Sequence, residues 1–264
     1  MRLLAVGQRQ RKVDETIELA RAFVRGEISV NTDLDLEQEL ASIRPGYPEG
    51  FDLVSPGKVR RRKLGTPHGL IALVHSLAHI EWNAINLALD AAARFHQPPP
   101  EFHADWIGVA AEEALHFSLL RARLQELGAD YGELPGHSGL WEMAERTATD
   151  LTGRMALVPR VLEARGLDVT PGLIERLRAV GDTRTVEILE VILRDEVGHV
   201  AIGSRWFEWA CARDGREPRQ AFPELVQRYM KGRIKGPFNL EARRRAGFSE
   251  EELADLLSTY PNAG

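Results

Sequence analysis

The stretch ALVHSLAHIEWNAINLALDAAA, residues 72–93, places apolar side chains on an unusually broad face of its predicted helix. A helix that is apolar most of the way around is a buried one. Polar side chains inside such a stretch need partners, because burying them unsatisfied is costly. Glu81 is the only carboxylate between Gly69 and Leu89, so it is a candidate for a functional role.

Four long helical patterns occupy the region from Thr66 to about Arg213. Thr66-Pro67 has the form of a capping residue followed by proline at the first helical position. The second pattern stops at Gly128 and the third at Gly166, both plausible C-terminal glycines. The predicted helices cover about 67–95, 101–127, 140–164 and 183–213, with a short extra helix opened by Thr170-Pro171. No segment sustains the two-residue alternation of a strand, so the sequence predicts an all-α fold.

The segments on either side of this region are less regular. A helix is predicted from Val13 to about Arg25, and residues 31–64 form an irregular lead-in with prolines and glycines. The lead-in contains the basic run KVRRRK, residues 58–63, which is either a solvated loop or a contact for an anionic partner. Ser249 and Glu252 have capping-box spacing and predict a last short helix. We expect residues 1–66 to pack on a four-helix bundle over 67–213, with a tail over 214–264.

Composition narrows the classes of function. The net charge of −5 argues against broad nucleic-acid binding, which needs a basic surface. No stretch approaches the roughly 20 apolar residues of a spanning helix, and the apolar start is too short for a signal peptide. A single cysteine, Cys211, excludes an intrachain disulfide and fits a reducing compartment. We therefore expect a cytoplasmic protein without a membrane partner.

Two motifs in the buried patterns carry the functional prediction. Glu113-Ala-Leu-His116 lies in the second helix, and Glu196-Val-Gly-His199 lies in the fourth. Residues three apart share one helix face, so each motif can present a carboxylate and an imidazole to one point. Two such motifs, together with one glutamate from each remaining helix, are the ligand pattern of carboxylate-bridged dinuclear metal sites in helical bundles.

The first and third helices must then supply the two remaining glutamates. Glu81 is the candidate in the first helix. In the third, the candidates are Glu142, Glu145, Asp150 and Glu163. We prefer Glu163, because its surroundings, ALVPRVLEA, are the most apolar. The spacing agrees, since 113 − 81 = 32 and 196 − 163 = 33, so the two halves look like a repeated helical pair.

The ligand types predict the metal. Oxygen and nitrogen ligands without thiolate suit iron or manganese. Four carboxylates and two imidazoles carry four negative charges, which two divalent cations neutralise. We predict two metal ions, iron before manganese, held by one set of ligands: Glu81, Glu113, His116, Glu163, Glu196 and His199. The alternative for each residue is structural: Glu81 would pair with His75 or Arg121, and the histidines would be satisfied core residues.

At these residues the sequence resembles a known family. The segments HSLAHIEWNAINLAL, DWIGVAAEEALHF, LVPRVLEARGLDVTP, DEVGHVAIGSRWF and GPFNLEARRRAGF resemble a bacterial family of ferritin-like proteins described as a domain of unknown function. That family looks distantly related to the di-iron hydroxylase that acts on a modified adenosine in tRNA. The resemblance implies a ferritin-like four-helix bundle and supports the metal ligands.

Three further histidines and one proline invite hypotheses. His75 and His79 are expected to hydrogen-bond to a ligand carboxylate, and His137 either serves a lid or entrance or is simply exposed. Pro159 lies four residues before Glu163 and should kink the third helix. The kink either aims Glu163 and opens a channel, or serves packing alone.

The leading functional hypothesis is an O2-dependent di-iron oxidoreductase, a hydroxylase or oxidase. Its partners would be O2, a small-molecule substrate and a reductase, and the oligomeric state stays open. An iron-handling or storage protein is the second reading, which the long lead-in and tail disfavour because they would obstruct shell packing. A tRNA-modifying hydroxylase is the third, and the acidic net charge argues against it.

Overall fold

The computed structural model of the chain describes residues 2–29, 42–58, 63–232 and 234–260. These residues form helices and turns, and the part of the chain that is described contains no strand, only an isolated bridge between Leu53 and Gly136. The predicted all-α fold is confirmed. Most of the basic run KVRRRK and much of the predicted irregular lead-in lie outside the described residues.

The chain divides into two compact units, an N-terminal unit of residues 1–141 and a C-terminal unit of residues 142–264. The lead-in, bundle and tail expected from the sequence remain a prediction. In the N-terminal unit the described helices are α1 (Arg9–Val24), α2 (Pro67–Arg94) and α3 (Pro100–Glu126). Residues 95–99 join α2 to α3, and the short link makes the two packed helices run antiparallel. Helix α1 packs against α3.

The ends of α2 and α3 follow from local chemistry. The Thr66 hydroxyl accepts a hydrogen bond from the backbone N–H of Gly69 at 3.1 Å, and Pro67 occupies the first turn of α2. Gly128 follows the end of α3 with φ +81°, a conformation that glycine adopts without a steric penalty. Both predicted boundaries are confirmed to within a few residues. Helix α1 begins at Arg9, four residues before the predicted Val13.

The short helix α4 (Gly139–Arg146) leads into the C-terminal unit. There the described elements are α5 (Leu151–Leu157), a π-helical segment (Val158–Glu163), α6 (Ala164–Ala179), α7 (Thr183–Arg213), α8 (Pro218–Met230), α9 (Leu240–Arg245) and α10 (Glu250–Thr259). Helix α7 has the predicted bounds. The capping box at the start of α10 is confirmed, with the Ser249 hydroxyl and the Glu252 carboxylate each accepting the other's backbone N–H. Helix α8 was not predicted.

The third predicted helix, 140–164, is wrong as a single element. The chain leaves the helix after Arg146 and starts again at Leu151, where the Asp150 carboxylate accepts the backbone N–H of Gly153 at 2.7 Å. An aspartate side chain that accepts a backbone N–H favours the N-cap over the helix interior, so Asp150 favours a new helix start over continuation of the first helix. The helix also does not end at Gly166, because Ala164 and Leu167 are buried in one core with residues of α7 and the tail. Packing there outweighs the weak helix propensity of glycine.

The short helix expected to open at Thr170-Pro171 is also wrong, since Pro171 lies inside α6. Proline lacks the N–H that would bond to the carbonyl four residues earlier, here that of Leu167. The Asn239 side chain donates a hydrogen bond to that same carbonyl at 3.2 Å. The tail therefore supplies the donor that the proline removes, and the helix continues.

Pro159 lies in the first turn of the π-helical segment, and the kink expected at this proline remains a prediction. Helix α7 provides room for its ring at Gly203. A Cβ atom added at Gly203 would lie 2.2 Å from Pro159 Cβ, far inside van der Waals contact. Gly203 is therefore required by the approach of Pro159 and not by its own backbone conformation.

We expect Gly203→Ala to destabilise the protein by about 1–3 kcal/mol, the range for overpacking a tight core site. The matched control is Gly172→Ala on the exposed face of α6, where no atom lies within 4 Å of the added Cβ. The control should be neutral or stabilising by up to about 1 kcal/mol, because alanine favours helix over glycine. Urea unfolding followed by circular dichroism measures both, and equal stability of the two variants would contradict the packing argument.

Candidate metal centre

In the N-terminal unit, three predicted ligands meet between two helices. Helix α2 carries Glu81, and α3 carries Glu113 and His116, one turn apart. One ligand atom from each of the three lies within 4.8 Å of the others. The His116 Nδ1 atom is 3.2 Å from Glu113 Oε2 and 3.7 Å from Glu81 Oε2. The structure thus brings these three predicted residues together and confirms a carboxylate and imidazole cluster that could hold a metal ion.

The cluster is buried, with residue exposures of 3% for Glu81, 0% for Glu113 and 1% for His116. Burial raises the pKa of Glu81 to about 8, and the charge of Glu113 acts in the same direction. Burial alone would lower the pKa of His116, but its contacts with Glu113 and Glu81 outweigh that effect and raise it. Without a cation, protons therefore neutralise part of the charge in the cluster.

The donor set fits a metal ion better than a purely structural role. Within the described residues, Glu81 Oε2 is buried and accepts no hydrogen bond. Buried carboxylate oxygens are nearly always satisfied by a donor or a cation. The structural alternatives for Glu81 are wrong: Arg121 pairs with Asp130 at 2.8 Å, and His75 accepts the backbone N–H of Gly132 at 3.0 Å.

The C-terminal unit carries the second set of predicted ligands. On α7, Glu196 Oε2 lies 3.8 Å from His199 Nδ1, and His199 is 1% exposed. Glu163 is the last residue of the π-helical segment, which packs against α7. Each unit therefore holds a glutamate on one element and a Glu-x-x-His motif on its long partner helix. The meeting of both sets at one point remains a prediction from the sequence.

Comparison with known proteins gives a family but no activity. Residues 6–254 match the family described as "Protein of unknown function (DUF455)". The chain belongs to this family. An uncharacterised protein from Haemophilus influenzae (strain ATCC 51907 / DSM 11121 / KW20 / Rd) is 48% identical over 214 residues. The match covers 78% of this chain and 74% of that relative. No solved structure matches the chain.

Among the helices that are described, none combines the length and apolar character needed to cross a bilayer.

The hypothesis that His75 and His79 support a ligand carboxylate is wrong. The His79 Nδ1 atom lies 2.9 Å from the Tyr131 hydroxyl, and its Nε2 lies 2.9 Å from the His137 carbonyl. His75 Nε2 accepts the backbone N–H of Gly132. Both side chains fasten the loop that follows α3. The sequence did not predict this role, because nothing near a histidine in the sequence indicates which distant backbone group it will bind.

Because His75 is buried, we expect the stability of this chain to depend on pH. Burial lowers its pKa to about 4, with the neighbouring His79 and Arg9 adding to the effect and Asp130 opposing it. The unfolded chain binds a proton near pH 6.5 and the folded chain only near pH 4, so stability is lost as pH falls through that window. His75→Gln keeps an acceptor for Gly132 but removes the titration.

We expect this substitution to make the unfolding free energy less dependent on pH by about 1.4 kcal/mol per pH unit between pH 4 and 6.5. The control is His68→Gln, an exposed histidine on the same helix, which should leave the slope unchanged. Chemical unfolding of the metal-free protein at several pH values measures the slope. A variant as pH-sensitive as the parent would contradict the assignment.

Proposed function

We propose that the protein is a ferritin-like, non-haem di-iron oxidoreductase, a hydroxylase or oxidase that uses O2. One observation carries the proposal: the buried cluster of Glu81, Glu113 and His116, with an unsatisfied carboxylate oxygen, on two antiparallel helices. The same residue types recur on the π-helical segment and α7 of the C-terminal unit. A glutamate plus a Glu-x-x-His motif from each helical pair is the ligand arrangement of di-iron carboxylate bundles.

Charge and ligand chemistry favour two cations. The six proposed ligands are four carboxylates and two neutral imidazoles, so two divalent ions balance their charge. Glu81, Glu113 and His116 would hold one side of the centre, and Glu163, Glu196 and His199 the other. The absence of thiolate from both sets favours iron, with manganese as the second choice.

The residues of the chain would bind and shield the centre, and the metals would supply the redox chemistry with O2. The carboxylates of Glu81 and Glu113 would balance the positive charge of the ions, and their burial would keep that electrostatic attraction strong. In a hydroxylation, one oxygen atom of O2 enters the substrate and the other leaves as water. That balance takes up two electrons and two protons, so a reductase is part of the proposal.

Loss of metal is the first test of the ligand set. The purified protein should contain close to two metal ions per chain, with iron the main element by plasma mass spectrometry. His116→Ala and His199→Ala should each lose much of that content, because each removes an imidazole ligand from the centre. His68→Ala, which changes an exposed histidine on α2, is the control and should retain both ions. A folded double variant with unchanged metal content would rule out the centre.

The second test separates an oxidoreductase from a storage protein. Ferrous iron is added aerobically in large excess, and the iron retained per chain is measured after gel filtration. We expect retention near two, with O2 consumed in only a few turnovers, because a catalytic centre holds a fixed number of ions. Retention of tens or hundreds of ions per chain would instead support iron storage.

A further inference from the structure

The π-helical segment contains a buried charge that the proposed metal ligands do not use. Arg160 is 1% exposed. Its guanidinium carbon lies 4.3 Å from the ring centre of Phe248, 4.7 Å from that of Phe207 and 5.2 Å from that of Phe222. Arginine stacks favourably on aromatic faces, and desolvation strengthens that attraction. The guanidinium is therefore held on several sides by rings from α7, α8 and the turn before α10.

One carboxylate fixes the guanidinium in this cage. Arg160 Nη2 donates to Glu252 Oε1 at 2.7 Å. The other Glu252 oxygen accepts the backbone N–H of Ser249 in the capping box of α10. One carboxylate therefore bonds both to Arg160 and to the start of helix α10. The ion pair sets the position of that segment relative to the tail.

The residue before Arg160 is held from another direction. Pro159 packs into the space left by Gly203 on α7. Two consecutive residues of the π-helical segment are therefore fixed, one against α7 and the other against the tail. Glu163 follows three residues later, at the end of the segment. The wider turn of a π-helix changes the direction of Glu163 relative to Arg160, compared with a regular helix.

We propose that Arg160 is a positioning residue, whose clamp to Glu252 and the phenylalanine cage keeps the π-helical segment in the form that directs Glu163 toward the metals. The inference rests on the proposed function. It assigns a role to the tail, which becomes part of the support of the metal centre. Residues that orient metal ligands commonly change metal affinity by about 10–100-fold when they are removed.

Docking of the tail does not by itself explain the clamp. The tail has a second buried anchor, in which Arg243 pairs with Asp168 of α6 at 2.7 Å, and both side chains are nearly inaccessible. The backbone N–H of Asn239 also bonds to Asp168 at 2.9 Å. These contacts attach the tail to α6, downstream of the π-helical segment. The Arg160 clamp is the additional contact that acts on the segment itself.

The test compares three variants for metal affinity, measured by competition with a chelator. Glu252→Gln keeps the shape and the capping acceptor but removes the charge, and Arg160→Lys keeps the charge but loses the planar stacking. Both variants should bind at least one of the two ions with an affinity about 10–100-fold lower than that of the parent protein. Asp255→Asn is the matched control. Asp255 lies on α10, as Glu252 does, but it pairs with Arg219 of α8 at the surface and not with the π-helical segment. This variant should stay within about twofold of the parent protein.

A second measurement distinguishes positioning from mere stabilisation. Arg160→Ala enlarges a cavity of about 120 Å³ that is lined by Phe222, Phe248 and Glu252. Millimolar ethylguanidinium should restore metal affinity to this variant by occupying the vacated cage, whereas ethylammonium should not. If Arg160 only stabilises the tail, melting temperatures will fall in the variants while their metal affinity and spectroscopic signature match those of the parent.

The outcomes separate the two proposals. A parent protein that binds no metal would overturn the proposed function. Hydrogen exchange in the metal-free protein then still tests the clamp, since Glu252→Gln should speed exchange across residues 158–167 and Asp255→Asn should not. A parent that binds two ions, with unchanged affinity in Glu252→Gln and Arg160→Lys, would overturn the positioning role alone.

Discussion

Ionisable side chains can be buried between apolar helices only when something replaces the hydration that they lose. In the N-terminal unit this constraint falls on Glu81, Glu113 and His116, which lie within one cluster on α2 and α3. Without a cation, the raised pKa of Glu81 favours a retained proton, and the His116 imidazole lies close to the Glu113 carboxylate. Glu81 Oε2 still lacks a hydrogen-bond donor. The apolar helix faces around the cluster exclude water, so the charge balance has to come from within the site.

The same constraint explains which parts of the fold and site could be predicted. Glu81 is the only carboxylate between Gly69 and Leu89, and two Glu-x-x-His motifs lie in long apolar helices, so both features stood out without any knowledge of the fold. The bounds of α2, α3 and α7 follow from caps, glycines and long apolar patterns, which are local signals. Local signals need no partner elsewhere in the chain, and the predicted helices agree closely with the structure there.

The predictions failed where the deciding partner is distant in the sequence. The sequence around Pro171 predicts the start of a helix. In the structure the Asn239 side chain donates to the Leu167 carbonyl, and α6 continues through the proline. His75 reads as support for a metal ligand, but it binds the backbone of a loop almost sixty residues later. The cage around Arg160 joins three aromatic residues from separate parts of the C-terminal unit. No spacing rule connects such residues before the tertiary structure is known.

The contact between Pro159 and Gly203 bears on how the sequence can change over time. The two residues are far apart in the chain, yet any side chain at position 203 would occupy the volume of the proline ring. A larger residue there costs less once the proline has been replaced by a smaller residue, because the clash is with the proline ring. The two positions are therefore epistatic: the cost of a larger residue at position 203 depends on whether position 159 carries proline, and both positions bear on the segment that carries Glu163.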